Sequence, residues 1–170
     1  MRKAATRKVN IFEVPACNNT ALRRAARRLG NLYDEALAPL GLKATQLGLL
    51  AEIARLTASN SEQPPTLQEL ASRLAIQLSA LTHALRPLVR DGLVDVLADE
   101  VDRRTKRGAL TAIGETRLSE ALVHWAEANQ RVETVLGSGA AEMLRSLADH
   151  VASDQFLVEY SQAQPGKASK

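Results

Sequence analysis

The sequence predicts a mainly α-helical fold with one small β-hairpin. Apolar residues recur at the three- and four-residue spacing of a helix along most of the chain, and only residues 93–110 change to a strand-like pattern. Aromatic residues make up 3% of the chain, and the many alanines and aliphatic residues favour helix over strand. The 170 residues suffice for a single domain with its own core.

The N-terminal part is predicted to contain an arm and one helix. Residues 1–17 form the arm, and we expect three of its apolar residues to pack against a neighbouring subunit: Ile11, Phe12 and Val14. The helix runs from about Asn19 to Leu40 and has one broad apolar face. Its other side carries four arginines in six residues: Arg23, Arg24, Arg27 and Arg28. Such a charged run is typical of a solvated helix face, although it also suits an anionic ligand.

After this helix, the sequence predicts a second helix and then two short helices joined by a turn. Thr45 is predicted to cap a second helix, which ends in a polar surface loop. Thr66 opens a third helix, because Glu69 follows three residues later in the capping-box arrangement. After a break at residues 75–76, a fourth helix runs over about residues 77–91, and the next residue is a glycine that ends it.

The fourth helix has an apolar face and a polar face. Its outward candidates for DNA contact are Ser79, Ala80, Thr82, His83 and Arg86. Hydroxyl, imidazole and guanidinium groups suit base edges and phosphates, and the major groove of DNA is wide enough for a helix. Any exposed helix face also carries polar residues, so the periodicity alone does not separate DNA binding from solvation. Pro87 lies inside this helix and predicts a bend.

Residues 93–97 and 107–110 are predicted to pair as a hairpin, with a charged tip at residues 98–106. The tip and Arg107 directly after it contain four bases among three acids, and the candidates for DNA contact are Arg103, Arg104 and Lys106. Arginine suits such a tip because a narrow minor groove concentrates negative potential. Asp102 is expected to hold one of these arginines through a carboxylate–guanidinium pair. A basic hairpin beside a helix-turn-helix is a wing.

The stretch from Gly92 to Gly114 resembles the wing signature of the multiple-antibiotic-resistance-regulator (MarR) family, in which an Asp-x-Arg wing is followed by Leu-Thr-x-x-Gly. The matching positions are Asp102, Arg104, Leu110, Thr111 and Gly114. The resemblance extends from about residue 18 to residue 160. It implies a homodimeric transcriptional regulator whose recognition helix begins near residue 77.

After the wing, a long helix is predicted over about residues 112–136, and a last helix over about residues 140–160. A helix of 25 residues is about 37 Å long, which is too long for so small a domain to cover. Residues 18–44 and 112–160 are therefore predicted to form a helical dimerisation region around a winged helix-turn-helix domain at residues 45–111. A two-fold dimer places two recognition helices about one DNA turn apart, so we expect an inverted-repeat operator. Residues 161–170 are predicted to be disordered.

Composition narrows the function classes. The net charge of +3 and pI near 9.3 are compatible with nucleic acid without indicating it by themselves. Neither an apolar run long enough to span a membrane nor a secretory signal is present, and a lone cysteine fits a reducing cytosol, so we expect a cytoplasmic protein. The three histidines form no ligand-spaced cluster, and phosphate-loop and nucleophile-elbow motifs are absent. We therefore expect no metal, no cofactor and no enzymatic activity.

There are two candidates for the signal that such a regulator senses. Cys17 lies beside the start of the first helix, where unpaired N–H groups and nearby arginines stabilise the thiolate that oxidants attack. The hydroperoxide-sensing branch of the MarR family resembles this arrangement in part. The alternative input is a small aromatic or phenolic acid, for which the candidate contacts are Arg23, Arg27 and Tyr33.

The leading hypothesis is therefore a homodimeric, sequence-specific DNA-binding regulator that acts as a repressor and is released by one of these two inputs. The alternative is a winged-helix module that binds another protein and has no sequence-specific contact with DNA.

Overall fold

The computed structural model describes residues 17–163, so the predictions for residues 1–16 and 164–170 lie outside the described residues. Helices and one two-stranded antiparallel sheet make up this part of the chain. Their bounds are α1 Asn18–Leu37, α2 Ala44–Ser59, α3 Leu67–Arg73, α4 Leu78–Arg90, β1 Val94–Ala98, β2 Lys106–Leu110, α5 Ala112–Leu136, α6 Ser138–Ala152 and α7 Asp154–Gln162. The mainly helical fold with one hairpin is confirmed.

One core unites the helix-turn-helix with the ends of α1 and α5. Its largest fully buried side chains come from five elements: Leu37, Leu50, Ile53, Leu70, Leu81, Leu88 and Val94. Leu118 and Ala121 of α5 join the same cluster. The apolar stripes predicted for α3 and α4 therefore face inward together, and the polar face of α4 is left outside.

Two helix boundaries differ from the prediction near the N-terminus. Helix α1 ends at Leu37, and a short 3-10 turn over Ala38–Leu40 follows it. Thr45 does not cap α2: the backbone N–H of Ala44 donates to Asp34 Oδ1 at 2.7 Å. The partner of this N–H is a carboxylate of α1, so the local sequence around Thr45 could not reveal the hydrogen bond.

The predicted cap of α3 is confirmed, and Thr111 caps α5. Glu69 N–H donates to Thr66 Oγ1 at 3.1 Å, and Thr66 N–H donates back to Glu69 Oε2 at 2.7 Å. The hydroxyl of Thr111 accepts the N–H of Gly114 at 3.0 Å and itself donates to the carbonyl of Gly92 at 2.7 Å. The start of α5 is thus tied to the residue that separates α4 from the sheet.

The predicted hairpin is present, and its pairing runs from Val94 opposite Leu110 to Ala98 opposite Lys106, so both strands extend one residue further toward the tip than predicted. The residues before α3 extend this sheet, because Thr66 forms a bridge with Arg107 and Gly108 N–H donates to the Pro65 carbonyl at 3.0 Å. The hairpin is therefore anchored to the connection between α2 and α3.

The C-terminal part contains two helices where one was predicted. Ser153 has extended backbone, and its hydroxyl accepts the N–H of Phe156, so α6 ends at Ala152 and α7 begins with its own cap. Helix α7 continues to Gln162, which places residues 161 and 162 in a helix and not in the predicted disordered tail. Between residues 17 and 163, no helix is long and apolar enough to cross a membrane.

Candidate nucleic-acid interface

The outer face of α4 is exposed along its first turns. Leu81, Leu85 and Leu88 are buried, which fixes the rotation of the helix. The candidate contact residues on the opposite side are all exposed: Ser79, Ala80, Thr82, His83 and Arg86. The burial pattern confirms the two-faced helix that the sequence predicted, and it leaves a ridge of small polar side chains followed by an arginine.

The side chains at the end of this face are less free than those at its start. Arg90 pairs with Asp91 through an Nε–Oδ1 distance of 2.9 Å, so its guanidinium is turned to its own neighbour. The Thr82 hydroxyl donates to the Leu78 carbonyl at 2.8 Å and retains its acceptor capacity. Helical structure continues through Pro87 to Arg90. The charge of Arg90 is thus already paired, whereas Arg86 forms no ion pair among the described residues.

The wing tip presents cations to solvent. Arg103, Arg104 and Lys106 are exposed, and the side chain of Arg104 is 94% exposed. Asp102 lies 3.3 Å from Arg104 Nε and also accepts the Arg104 N–H at 3.1 Å. The expected pairing of Asp102 with an arginine is therefore present. It orients the root of the Arg104 side chain and leaves the guanidinium open on its other sides.

Arg107, which the sequence places among the tip bases, lies inside the wing. Its side chain is 19% exposed, and it donates to the Asp99 carboxylate and, at 2.6 Å, to the Pro64 carbonyl. Asp99 also accepts the N–H groups of Val101 and Asp102 at 2.9 and 2.8 Å. The pKa of Asp99 lies below its usual value. The largest cause is the hydrogen bond from the Asp102 N–H, followed by that from Arg107 and then that from the Val101 N–H. Neither residue was a sequence candidate.

Cys17 is the residue immediately before α1 and is exposed. Its pKa is lowered, first by a hydrogen bond from the Thr20 side chain and then by the backbone N–H groups of Thr20 and Asn19. The direction of this shift agrees with the sequence argument for a thiolate. The leading contribution comes from the Thr20 hydroxyl, which the sequence argument did not include.

The candidate effector contacts do not converge. Arg23 and Arg27 are exposed on α1. The Tyr33 hydroxyl donates to Asn129 Oδ1 at 2.9 Å, and its ring lies 6.5 Å from that of Trp125, so Tyr33 joins α1 to α5. Burial, and then the charge of Glu133, raise the pKa of Tyr33.

An open groove of about 580 Å³ lies between α1 and α5, and we call it the α1–α5 groove. It is mostly apolar, and its charged lining residues are Arg28, Glu35 and Arg131. None of Arg23, Arg27 and Tyr33 lines it. Within residues 17–163, no cluster of His, Cys, Asp or Glu could hold a metal ion.

The MarR family model matches residues 42–106, which run from two residues before α2 to the first residue of β2. Among solved structures, the chain is similar to the transcriptional regulator MosR of M. tuberculosis in complex with DNA. The two are 33% identical, the match covers 88% of this chain and 100% of that chain, and the TM-score is 0.71. A sequence search of curated proteins finds no match.

Two other regulators share the fold. A cysteine-to-serine mutant of MarR from E. coli, complexed with operator DNA, is 25% identical; the match covers 78% of this chain and 91% of that chain, with a TM-score of 0.68. CouR from Rhodococcus jostii, bound to p-coumaroyl-CoA, is 20% identical, with 80% and 92% coverage and a TM-score of 0.67. At that identity the likeness to CouR concerns the fold alone.

Proposed function

The chain belongs to the MarR family and is a DNA-binding transcriptional regulator and not an enzyme, and on this premise we propose that it acts as a homodimeric repressor of an inverted-repeat operator. In this proposal α4 reads the major groove and the wing enters the adjacent minor groove. The observation that carries it is the joint exposure of the α4 ridge and of Arg104 at the wing tip.

Helix α4 supplies the sequence-reading part of the proposed interface. Ser79 and His83 can each donate or accept a hydrogen bond at a base edge, Thr82 can accept one, and Ala80 can contact a thymine methyl group. Arg86 follows on the same exposed face, where it suits a phosphate or a guanine. Small side chains at the start of the helix allow its backbone to approach the bases closely.

The wing supplies an electrostatic part. The cations of Arg103, Arg104 and Lys106 attract phosphates and suit a narrow minor groove. Because Arg104 is almost fully exposed while its backbone is held by Asp102, it can reach away from the protein from a fixed starting point. This contribution should fall as salt concentration rises.

The helical part supports the homodimer. The α1–α5 groove is apolar and open, and α6 and α7 carry a row of exposed apolar side chains: Met143, Leu147, Val151, Leu157, Val158 and Tyr160. Monomeric soluble proteins rarely expose contiguous apolar patches of this kind. A second copy of the chain would bring both surfaces out of water and would duplicate α4 for two operator half-sites.

We propose that an input at α1 releases the operator. Oxidation of Cys17 is one candidate, because its lowered pKa favours the reactive thiolate. A small aromatic acid is the other, and Arg28 and Arg131 in the α1–α5 groove are more suitable partners for its carboxylate than Arg23, Arg27 and Tyr33.

Operator binding by the wild type and Arg104→Ala tests the proposal, with the DNA upstream of the protein's own gene as probe. We expect the substitution to weaken binding by about 1–3 kcal/mol, roughly 5- to 150-fold, while the dimer persists. Arg145→Ala removes the same charge from α6 and serves as the matched control. Equal affinities for wild type and Arg104→Ala would remove the wing from the mechanism. Equal affinities for the operator and a scrambled duplex would contradict sequence-specific recognition.

A further inference from the structure

Asp99 is the one charged residue of the described chain that is buried, with 7% of its surface exposed. It lies at the start of the wing tip, where one carboxylate oxygen accepts the N–H groups of Val101 and Asp102 and the other accepts from Arg107. Burying a carboxylate is costly unless each oxygen has partners. The wing therefore contains a fully satisfied ionic centre a few residues from the cations proposed to touch DNA.

Arg107 connects this centre to the helix-turn-helix. Its Nε donates to Asp99, and its Nη1 donates to the carbonyl of Pro64, which precedes α3. The backbone of Arg107 pairs with Thr66, the cap of α3. One side chain thus spans from the tip of the hairpin to the segment that starts the helix-turn-helix.

The hydrogen bonds continue from Asp99 to Arg104. Asp99 fixes the N–H of Asp102, and the Asp102 carboxylate accepts both the backbone N–H and the Nε of Arg104. An unbroken series of contacts therefore leads from the Pro64 carbonyl through Arg107, Asp99 and Asp102 to the exposed guanidinium. An isolated two-stranded hairpin is only marginally stable in water, so its orientation depends on such anchors.

We propose that Asp99 and Arg107 are positioning residues that set the direction of the wing and so determine how well Arg104 reaches the operator. This inference rests on the proposed role of Arg104 at the minor groove. In this proposal Asp99 and Arg107 do not contact DNA, because both side chains are turned into the wing. Their effect on affinity is exerted through Arg104.

Arg107→Lys tests the inference without changing the net charge. A lysine ammonium is a point charge on a flexible stem and cannot reproduce the fork that joins Asp99 to Pro64. We expect operator affinity to fall about three- to tenfold, which is about 0.6–1.4 kcal/mol. Asp99→Asn breaks the same pair from its other end and should weaken binding to a similar extent.

The decisive measurement is a double-mutant cycle of Arg107→Lys and Arg104→Ala on operator affinity. If Arg107 acts by positioning Arg104, the loss from Arg107→Lys disappears when Arg104 is already alanine. An equal loss in both backgrounds would overturn the inference, because Arg107 would then act through the fold or through direct contact. A loss from Arg104→Ala with none from Arg107→Lys would also overturn it while leaving the proposed function intact. An absence of loss from Arg104→Ala itself would refute the proposed wing contact.

A matched control separates positioning from loss of stability. Arg117 also joins a carboxylate to a distant backbone carbonyl: it lies 3.5 Å from Glu120 and donates to Leu40 at 2.9 Å. Arg117→Lys should therefore cost comparable stability without altering operator affinity. Hydrogen exchange adds a direct readout, since the amides of residues 101–105 should exchange faster in Arg107→Lys and at the wild-type rate in Arg117→Lys. Unchanged exchange in both variants would contradict the positioning role.

Discussion

Replacing Gly114 by alanine is expected to destabilise the chain severely, although alanine is the better helix former. Gly114 lies in the first turn of α5, and an added Cβ would come within 2.0 Å of the Leu93 carbonyl oxygen. That atom is backbone and cannot rotate away, so α5 and the start of the sheet must separate. The change therefore acts on the junction between the winged domain and the long helix.

The cost follows from the contacts at that junction. The gap must open by about 1.4 Å to reach the 3.4 Å of an ordinary contact. Thr111 joins the two elements by donating its N–H to Leu93 at 3.1 Å and its hydroxyl to Gly92 at 2.7 Å. Losing both bonds costs about 2 kcal/mol and overpacking about 1–3 kcal/mol, against a gain of about 1 kcal/mol in helix propensity. The expected net destabilisation is about 2–4 kcal/mol.

Chemical denaturation of the wild type, Gly114→Ala and Gly48→Ala measures the effect. Gly48 lies inside α2 with nothing within 4 Å of an added Cβ, so the same exchange there should stabilise the fold by about 0.5–1 kcal/mol. The same glycine-to-alanine substitution is thus expected to lower the stability of the fold at position 114 and to raise it at position 48. A Gly114→Ala protein as stable as Gly48→Ala would refute the reasoning from the close approach to Leu93.

Two other predictions concern the assembly and the thiol. Leu136→Asp places a charge in the α1–α5 groove and should give a monomer in sedimentation experiments. Val123→Asp, at an exposed site outside the groove, should leave the dimer intact and serves as the control. A dimeric Leu136→Asp protein would exclude the groove from the interface. Thr20→Ala removes the leading cause of the lowered pKa of Cys17. Alkylation of Cys17 should therefore be slower in the variant than in the wild type near pH ~7.5, and equally fast above pH ~10, where Cys17 is ionised in both proteins. Thr116→Ala, within α5, is the control, and equal rates for Thr20→Ala and the wild type near pH ~7.5 would contradict the assignment.

The winged helix-turn-helix was predictable because its information is local. The reciprocal cap of Thr66 and Glu69, the apolar spacing of α4 and the alternation in the hairpin all lie within a few residues. Thr45 is not the cap, because α2 already begins at Ala44, whose N–H donates to Asp34, ten positions earlier. The break at Ser153 was missed because the apolar spacing continues across it.

The ionic centre of the wing was only partly accessible to sequence reasoning. Leu97 is paired with Arg107, so Asp99, two residues further along the same strand face, is a diagonal neighbour of Arg107. The correct register would therefore have suggested their contact. The carbonyl of Pro64 lies 43 residues from Arg107, and only the folded chain brings the two together. The sequence therefore placed Arg107 among the bases of a charged run without indicating that its side chain pairs with Asp99 inside the wing.

The proposed dimer and the proposed aromatic-acid input make competing demands on the α1–α5 groove. Leu32 and Leu136 line it and are both about 42% exposed, as expected of positions that a second protomer covers. If a protomer fills this volume, a small acid has to bind elsewhere, and Arg28 and Arg131 are then interface residues. The Leu136→Asp variant distinguishes the two roles, because loss of the dimer with unchanged affinity for a small acid assigns the groove to assembly. Loss of acid binding in a variant that stays dimeric would assign it to the effector.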